Sequence, residues 1–146
     1  MTDASSPGVR LTVNFDGGSR GNPGPASVGI VVASTDDGTP LIERGFYLGE
    51  TTNNVAEYQG LIRGVALAKT LNPAEVAFVS DSALVVNQVN GQWKLKTEHI
   101  RELCLEARAA LATLPKWELT HVKRAHNVRA DALANRAMDA RADVEG

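Results

Sequence analysis

The feature that most constrains this chain is an alternating strand that runs into an acid and then a glycine-rich turn. Val9, Leu11, Val13 and Phe15 alternate with Arg10, Thr12 and Asn14, the period of two of a half-buried strand. Asp16 follows, and after it Gly17-Gly18-Ser19-Arg20-Gly21-Asn22-Pro23-Gly24-Pro25. Gly17 and Gly18 carry no bulk beside Asp16, so a ligand or another backbone can approach closely. Gly21 to Pro25 then force a tight reversal. No Lys-Ser or Lys-Thr pair follows, so this is not a phosphate loop of the nucleotide-binding kind. Alone, the stretch reads equally as a hairpin loop that happens to contain an acid. The choice turns on whether other acids reach the same end of the sheet.

The rest of the chain supplies a mixed pattern. Ala26 to Ser34 reads as a second strand, Asp36-Asp37-Gly38 as a hairpin turn, and Leu41 to Leu48 as a third strand with Gly45 as a bulge. Thr51-Thr52-Asn53-Asn54 offers capping residues before a helix carrying Val55, Tyr58, Leu61, Ile62, Val65 and Ala68. Val76 to Val79 is an unbroken apolar run, which suits a strand buried on both faces. It lies between helices, so it pairs in parallel with a neighbour. Asp81 or Ser82 caps a short helix that ends at Gly91, and Thr97 opens a longer one that Pro115 stops. Trp117 to Val122 is a fifth strand, and Asn127 caps a last helix.

Size and charge limit the function. At 146 residues the chain fits one domain, and 43% hydrophobic residues suffice for its core. A net charge of −2 excludes a protein whose whole surface grips nucleic acid, so any such contact is local or metal-assisted. The single cysteine, Cys104, excludes an internal disulfide and sits in an apolar helical pattern as a core thiol. Neither a signal-peptide core nor an apolar run of membrane-spanning length is present. A cytoplasmic monomer is expected, with residues 1–8 a flexible tail, 9–140 the domain and 141–146 a second tail.

Asp16 ends the first strand and Asp81 the fourth, and ligands bind beyond the carboxyl ends of strands where the strand order reverses. If strands one and four are adjacent and parallel, the two acids are neighbours there. Glu57 lies in the first turn of the first helix and Asp131 in the first turn of the last. Singly, each has a structural use: Glu57 in a capping box with Asn54, Asp131 against its helix dipole, Asp81 as a cap. Together they repel by about 4 kcal/mol per close pair at an effective dielectric near 20. A fold tolerates that when a cation neutralises the charge, and an all-oxygen set suits Mg²⁺ or Mn²⁺. Two such ions about 4 Å apart can activate water and stabilise a leaving oxygen in phosphodiester cleavage.

These pieces resemble type 1 ribonuclease H. The match runs through Asp16 to Pro25, Thr52-Asn53-Asn54-Val55-Ala56-Glu57-Tyr58, Ser80-Asp81-Ser82 and Ala130-Asp131-Ala132-Leu133-Ala134, in order from about Val9 to Met138. The resemblance implies an α/β fold with a five-stranded mixed sheet in order 3-2-1-4-5, strands one to three antiparallel, and helices on both faces. It implies two-metal hydrolysis of the RNA strand of RNA–DNA hybrids, leaving 5′-phosphate and 3′-hydroxyl ends. Two Mg²⁺ ions, with Mn²⁺ as a substitute, would be held by Asp16, Glu57, Asp81 and Asp131. Asp16 would bridge both ions, Glu57 and Asp81 would complete one site, and Asp131 would help hold the other.

The same resemblance implies a substrate surface. Gly17 leaves room for the substrate. Asn22, Asn53 and Asn54 match positions that read the minor groove, where RNA displays 2′-hydroxyls. Thr52 matches a DNA-phosphate contact. Trp93, with Lys94 and Lys96, matches the DNA side, although core packing is the other reading of Trp93. The chain departs from longer members in two places. The link from Gly91 to Thr97 is short and holds only two lysines, in place of a basic protrusion. The loop before the last acid is cut to Arg124-Ala125-His126-Asn127. Arg124 is the first candidate there, for the leaving group or product release, and His126 the second, as a proton carrier. Two alternatives stand beside it: a nucleic-acid-binding domain of the same fold without turnover, against which the four repelling acids argue, and another nuclease of the fold such as a resolvase or integrase core, over which the asparagine set favours hybrid cleavage.

Overall fold

The computed structural model describes residues 8–146; apart from Gly8, the expected N-terminal tail lies outside them. The alternation at the start of the chain becomes β1 (Val9–Ser19), which runs on past Asp16. The proline- and glycine-rich reversal returns it as β2 (Gly24–Ser34), and the Asp36–Gly38 turn leads into β3 (Pro40–Thr51). Then come α1 (Asn53–Lys69), β4 (Pro73–Ser80), α2 (Ala83–Val89), α3 (Glu98–Leu111), β5 (Trp117–His121), α4 (Val128–Ala140) and β6 (Val144–Glu145). Threonine and serine hydroxyls start three helices: Thr52 accepts from Val55 N, Ser82 from Val85 N and Thr97 from Ile100 N, at 3.2–3.3 Å.

The sheet order is β5-β4-β1-β2-β3-β6. The expected 3-2-1-4-5 order is therefore present, with β1 antiparallel to β2, β2 to β3, and β1 parallel to β4. A sixth strand extends it. Residues 141–146, expected as a tail, instead place Val144 opposite Gly45 and Glu145 opposite Arg44. Gly146 N also donates to the Glu43 carbonyl at 3.1 Å.

Helices cover the two faces unequally. Leu11, Val13 and Phe15 of β1 join Val28, Ile30 and Val32 in one core with α1, α2 and α3. The other face receives α4, which lies over β1 to β3. This corrects the expectation for the fourth strand. Val76 and Phe78 are buried, but Ala77 and Val79 are only half-buried, because α4 stops short of β4.

Gly45 is corrected too. The register of β3 slips near Leu48 and Leu41, not at Gly45. Gly45 stands opposite Gly29, and Gly29 opposite Asp16, in one row across three strands. A Cβ on Gly29 would overlap the Ala130 carbonyl oxygen and lie 2.6 Å from Ala134 N; one on Gly45 would lie 2.5 Å from the Leu133 oxygen. The two glycines let α4 rest on bare sheet backbone.

Candidate active site

Parallel pairing of β1 with β4 sets Asn14 opposite Val79. Two residues further on, Asp16 and Asp81 come level just where β4 ends, as the crossover rule requires. Helix α1, on one face, brings Glu57; it lies in the second turn, not the first, since α1 begins at Asn53. Helix α4, on the other face, brings Asp131 in its first turn. The four carboxylates line one open cleft of about 220 Å³, with Ser19 and Arg124.

Each acid is held. Asn53 donates its side-chain amide to Glu57 Oε1 at 2.7 Å, and the Ser82 hydroxyl donates to Glu57 Oε2. Glu57 therefore makes no capping box with Asn54. Asn127 Nδ2 donates to Asp81 Oδ1 at 3.3 Å, while Arg124 Nε approaches Asp81 Oδ2 at 3.5 Å. Asn135 donates to Asp131 at 3.3 Å.

Asp16 is the most perturbed of the four. Burial, then its hydrogen bond with Asp131 and the negative charge of Asp81, push its carboxyl up to about 8. Burial also raises Glu57 above the ordinary carboxylate range, with Asp81 adding to it, while the bonds from Ser82 and Asn53 pull the other way. In the metal-free protein a proton on Asp16 relieves a crowding that a divalent cation would relieve better.

The donor set fits such a cation. Every ligand offered is a carboxylate oxygen, the preference of Mg²⁺ and Mn²⁺. Among the described residues no three acidic, histidine or cysteine side chains are grouped tightly enough to enclose an ion by themselves. Mg²⁺ does not ask for that: it keeps waters and shares its shell between one or two carboxylates and substrate phosphates.

The substrate-side residues separate into two groups. Asn22 Oδ1 accepts from Asn53 N at 3.1 Å, and Asn53 Oδ1 accepts from Ser19 N at 3.2 Å. Both ends of the Asn53 amide are thus committed inside the protein. A Cβ on Gly17 would lie 2.8 Å from Glu57 N, so this glycine also lets α1 close on β1. Thr52 is tied down as the cap of α1. Asn54, Trp93, Lys94 and Lys96 line a separate groove of about 550 Å³. Trp93 is 49% exposed, which removes core packing as its role.

Of the two loop candidates, Arg124 lies in the carboxylate cleft. His126 lines a different groove beneath the start of α4. Asn127 departs from expectation: its side chain does not cap α4. It is 2% exposed, donates to the Phe15 carbonyl at 2.9 Å as well as to Asp81, and accepts from Asn14 at 3.1 Å. Sequence reasoning missed it, and missed Ser82 as the partner of Glu57. The signal for Ser82 was its place beside Asp81; for Asn127 an asparagine before a helix pointed to a cap.

The family model described as reverse transcriptase-like matches residues 14–137. The crystal structure of RNase H1 from Halobacterium salinarum superimposes with a TM-score of 0.86 at 44% identity, covering 90% of this chain and 98% of that one. The chain belongs to the type 1 ribonuclease H family. LC11-RNase H1, solved in complex with an RNA/DNA hybrid, superimposes on this chain with a TM-score of 0.85 at 37% identity, over 90% of this chain and 98% of that one. A bifunctional protein of Mycobacterium tuberculosis is 46% identical over 134 residues, 92% of this chain. The chain spans only 37% of that relative's length. The ribonuclease H family is divalent-metal-dependent, and the four-carboxylate cleft is where this member offers matching donors.

Proposed function

We propose that this chain hydrolyses the RNA strand of RNA–DNA hybrids with two Mg²⁺ ions, Mn²⁺ serving as a substitute. The observation that carries the reading is the convergence of Asp16, Glu57, Asp81 and Asp131 from β1, α1, β4 and α4 on one cleft. The metal would be held by these four and would supply charge neutralisation and Lewis acidity at the phosphate. The chain does the rest. Ser82 and Asn53 fix the rotamer of Glu57, and Asn127 fixes Asp81. Water attacks phosphorus and gives up a proton to solvent, the bond to the 3′ oxygen breaks, and that oxygen takes up a proton from solvent and leaves as a hydroxyl. The 5′-phosphate stays on the downstream piece. Arg124, 87% exposed beside Asp81, can swing to the scissile region and assist the leaving group or product release.

Asn22, Asn54 and Gly17 form the RNA-facing surface in this reading, with Asn53 setting their geometry. Thr52, Trp93, Lys94 and Lys96 take the DNA strand. The catalytic unit starts at about residue 9 and takes in residues 141–146, which add β6 to its sheet, and it acts as a cytoplasmic monomer; the buried free thiol of Cys104 is compatible with a reducing compartment. Among the described residues no helix is long and apolar enough to cross a membrane.

The test is cleavage of a labelled RNA–DNA hybrid beside matched RNA–RNA and DNA–DNA duplexes, with Mg²⁺, Mn²⁺ or chelator. Cutting is expected only in the RNA strand of the hybrid and only with metal. A hybrid carrying one isolated ribonucleotide is expected to be cut poorly, since several 2′-hydroxyls are read. Equal cutting of DNA–DNA duplex would sink the reading.

A further inference from the structure

Four parts of the molecule meet at one buried amide. Gln88, on α2, is 5% exposed. Its Oε1 accepts from the Tyr58 hydroxyl at 2.7 Å, and its Nε2 donates to the Lys94 carbonyl at 3.4 Å. Its backbone carbonyl accepts from Arg108 Nη2 at 2.9 Å and from the Cys104 thiol at 3.7 Å, both on α3. Arg108 Nε also reaches the Val89 carbonyl at 3.2 Å.

The partners differ in what they do. Tyr58 follows Glu57 on α1 and is fully buried. Its hydroxyl is the donor in the bond to Gln88. Lys94 lies in the link between α2 and α3, which has no regular structure and whose side chains are almost all exposed. The start of that link is tied locally, Gln92 N and Trp93 N both donating to the Asn87 carbonyl. Among the described hydrogen bonds, the Gln88 amide is the tether that joins the link to the catalytic helix.

We propose that Gln88 is a positioning residue for hybrid binding: its carboxamide fixes the Trp93–Lys96 link against α1, and so sets the DNA-side contacts relative to the carboxylates. The inference rests on the reading above that this link faces the DNA strand. An aliphatic side chain at 88 fills the space and makes neither bond; Leu95 still packs on the core, so the change loosens the Trp93–Lys94 end of the link rather than the whole of it.

The test uses Gln88→Leu. Because that change alone strands the buried Tyr58 hydroxyl, Tyr58→Phe/Gln88→Leu is made beside it, with Tyr58→Phe as control. All are made in a Trp117→Phe background, so that Trp93 is the remaining tryptophan. In the double variant, acrylamide quenching of Trp93 is expected to rise about twofold and KM for hybrid about five- to tenfold, with kcat within about twofold, the mark of lost uniform binding. The Mg²⁺-induced shift in melting temperature should stay as in the control. Unchanged quenching overturns the proposal whatever KM does. Raised quenching with unchanged KM also overturns it, and places the fault in the DNA-side reading of the link. Absence of hybrid cleavage by the parent protein would instead mark failure of the proposed activity itself.

Discussion

Asp16 and Gly29 stand opposite each other on β1 and β2, and α4 rests on the glycine. The distance from Asp16 to Asp131 is therefore set by how closely a helix can lie on a strand. Gly29→Ala would drive a methyl into the Ala130 carbonyl and lift α4. Overpacking of this kind costs about 1–3 kcal/mol. Thermal unfolding should show that loss, and hybrid cleavage should fall by at least about tenfold as Asp131 moves off. A variant with a lowered melting temperature but wild-type kcat would show that α4 does not gauge the site.

Asp16 gives a pH-dependent stability with a definite sign. Its carboxyl is raised from an ordinary 3.8 to about 8 in the metal-free fold. The stabilisation is complete below the unfolded value and is lost as pH rises through the folded one, because the folded state is the one that holds the proton. In chelator, wild type should lose melting temperature from about pH 4 up to about pH 8. Asp16→Asn keeps the shape and has no proton to lose at this position, so it should lose less over that range, keeping only the share that Glu57 contributes, and be at least as stable at pH 8. Its activity should drop by orders of magnitude, and Mg²⁺ should stabilise it less than wild type. If Asp16→Asn weakens the chelated protein at neutral pH while hydrolysis survives, Asp16 is a loop-fixing acid and the site assignment falls.

Arg124 and His126 are separated by placement. Arg124 reaches Asp81 in the cleft, and His126 faces another groove. Arg124→Ala should lower kcat by about tenfold or more, with His126→Ala within about twofold. A dominant His126 effect, with a flattened pH–rate profile near neutral pH, would reverse the assignment.

Asn127 ties β1, β4 and α4 together through one amide. Asn127→Ala removes the donor to the Phe15 carbonyl and to Asp81 and leaves the Asn14 amide only its 3.4 Å bond to the His126 carbonyl, at about 1–3 kcal/mol. Asn127→Asp keeps the volume but sets a second negative charge against Asp81. Chemical denaturation should show both losses. Added Mg²⁺ should recover more of the loss in Asn127→Asp than in Asn127→Ala, since only the first adds a charge for the cation to offset. Equal recovery would remove Asn127 from the electrostatics of the cleft.

Much of this site could be read from the chain because it follows local rules. Alternation placed Asp16 on a strand, and the helix between β3 and β4 made β4 parallel to a neighbour; that this neighbour is β1, so that the two acids meet, came from the resemblance to type 1 ribonuclease H. What stayed hidden depends on register and on partners far away in sequence. Asn127 looked like a cap because its real acceptors, Phe15 and Asp81, lie 112 and 46 residues away. Gly45 looked like a bulge because its pairing with Gly29 is visible only across strands. Val76 to Val79 looked covered on both sides because hydropathy does not say where α4 ends. β6 is two residues long and carries too little pattern to be seen.

The Asn53 amide joins two things that are usually adjusted separately. One end accepts from Ser19 in the β1–β2 turn, the other donates to Glu57, and its backbone N–H meets Asn22. On the proposed function, a displacement of the turn by a bound duplex would be transmitted to an acid of the cleft through one rigid planar group. Recognition and chemistry would then share a hinge pin, so that sequence drift in the turn would be answerable to Glu57, and a redesign of groove preference that ignores Asn53 would detune the reaction as it changed the substrate.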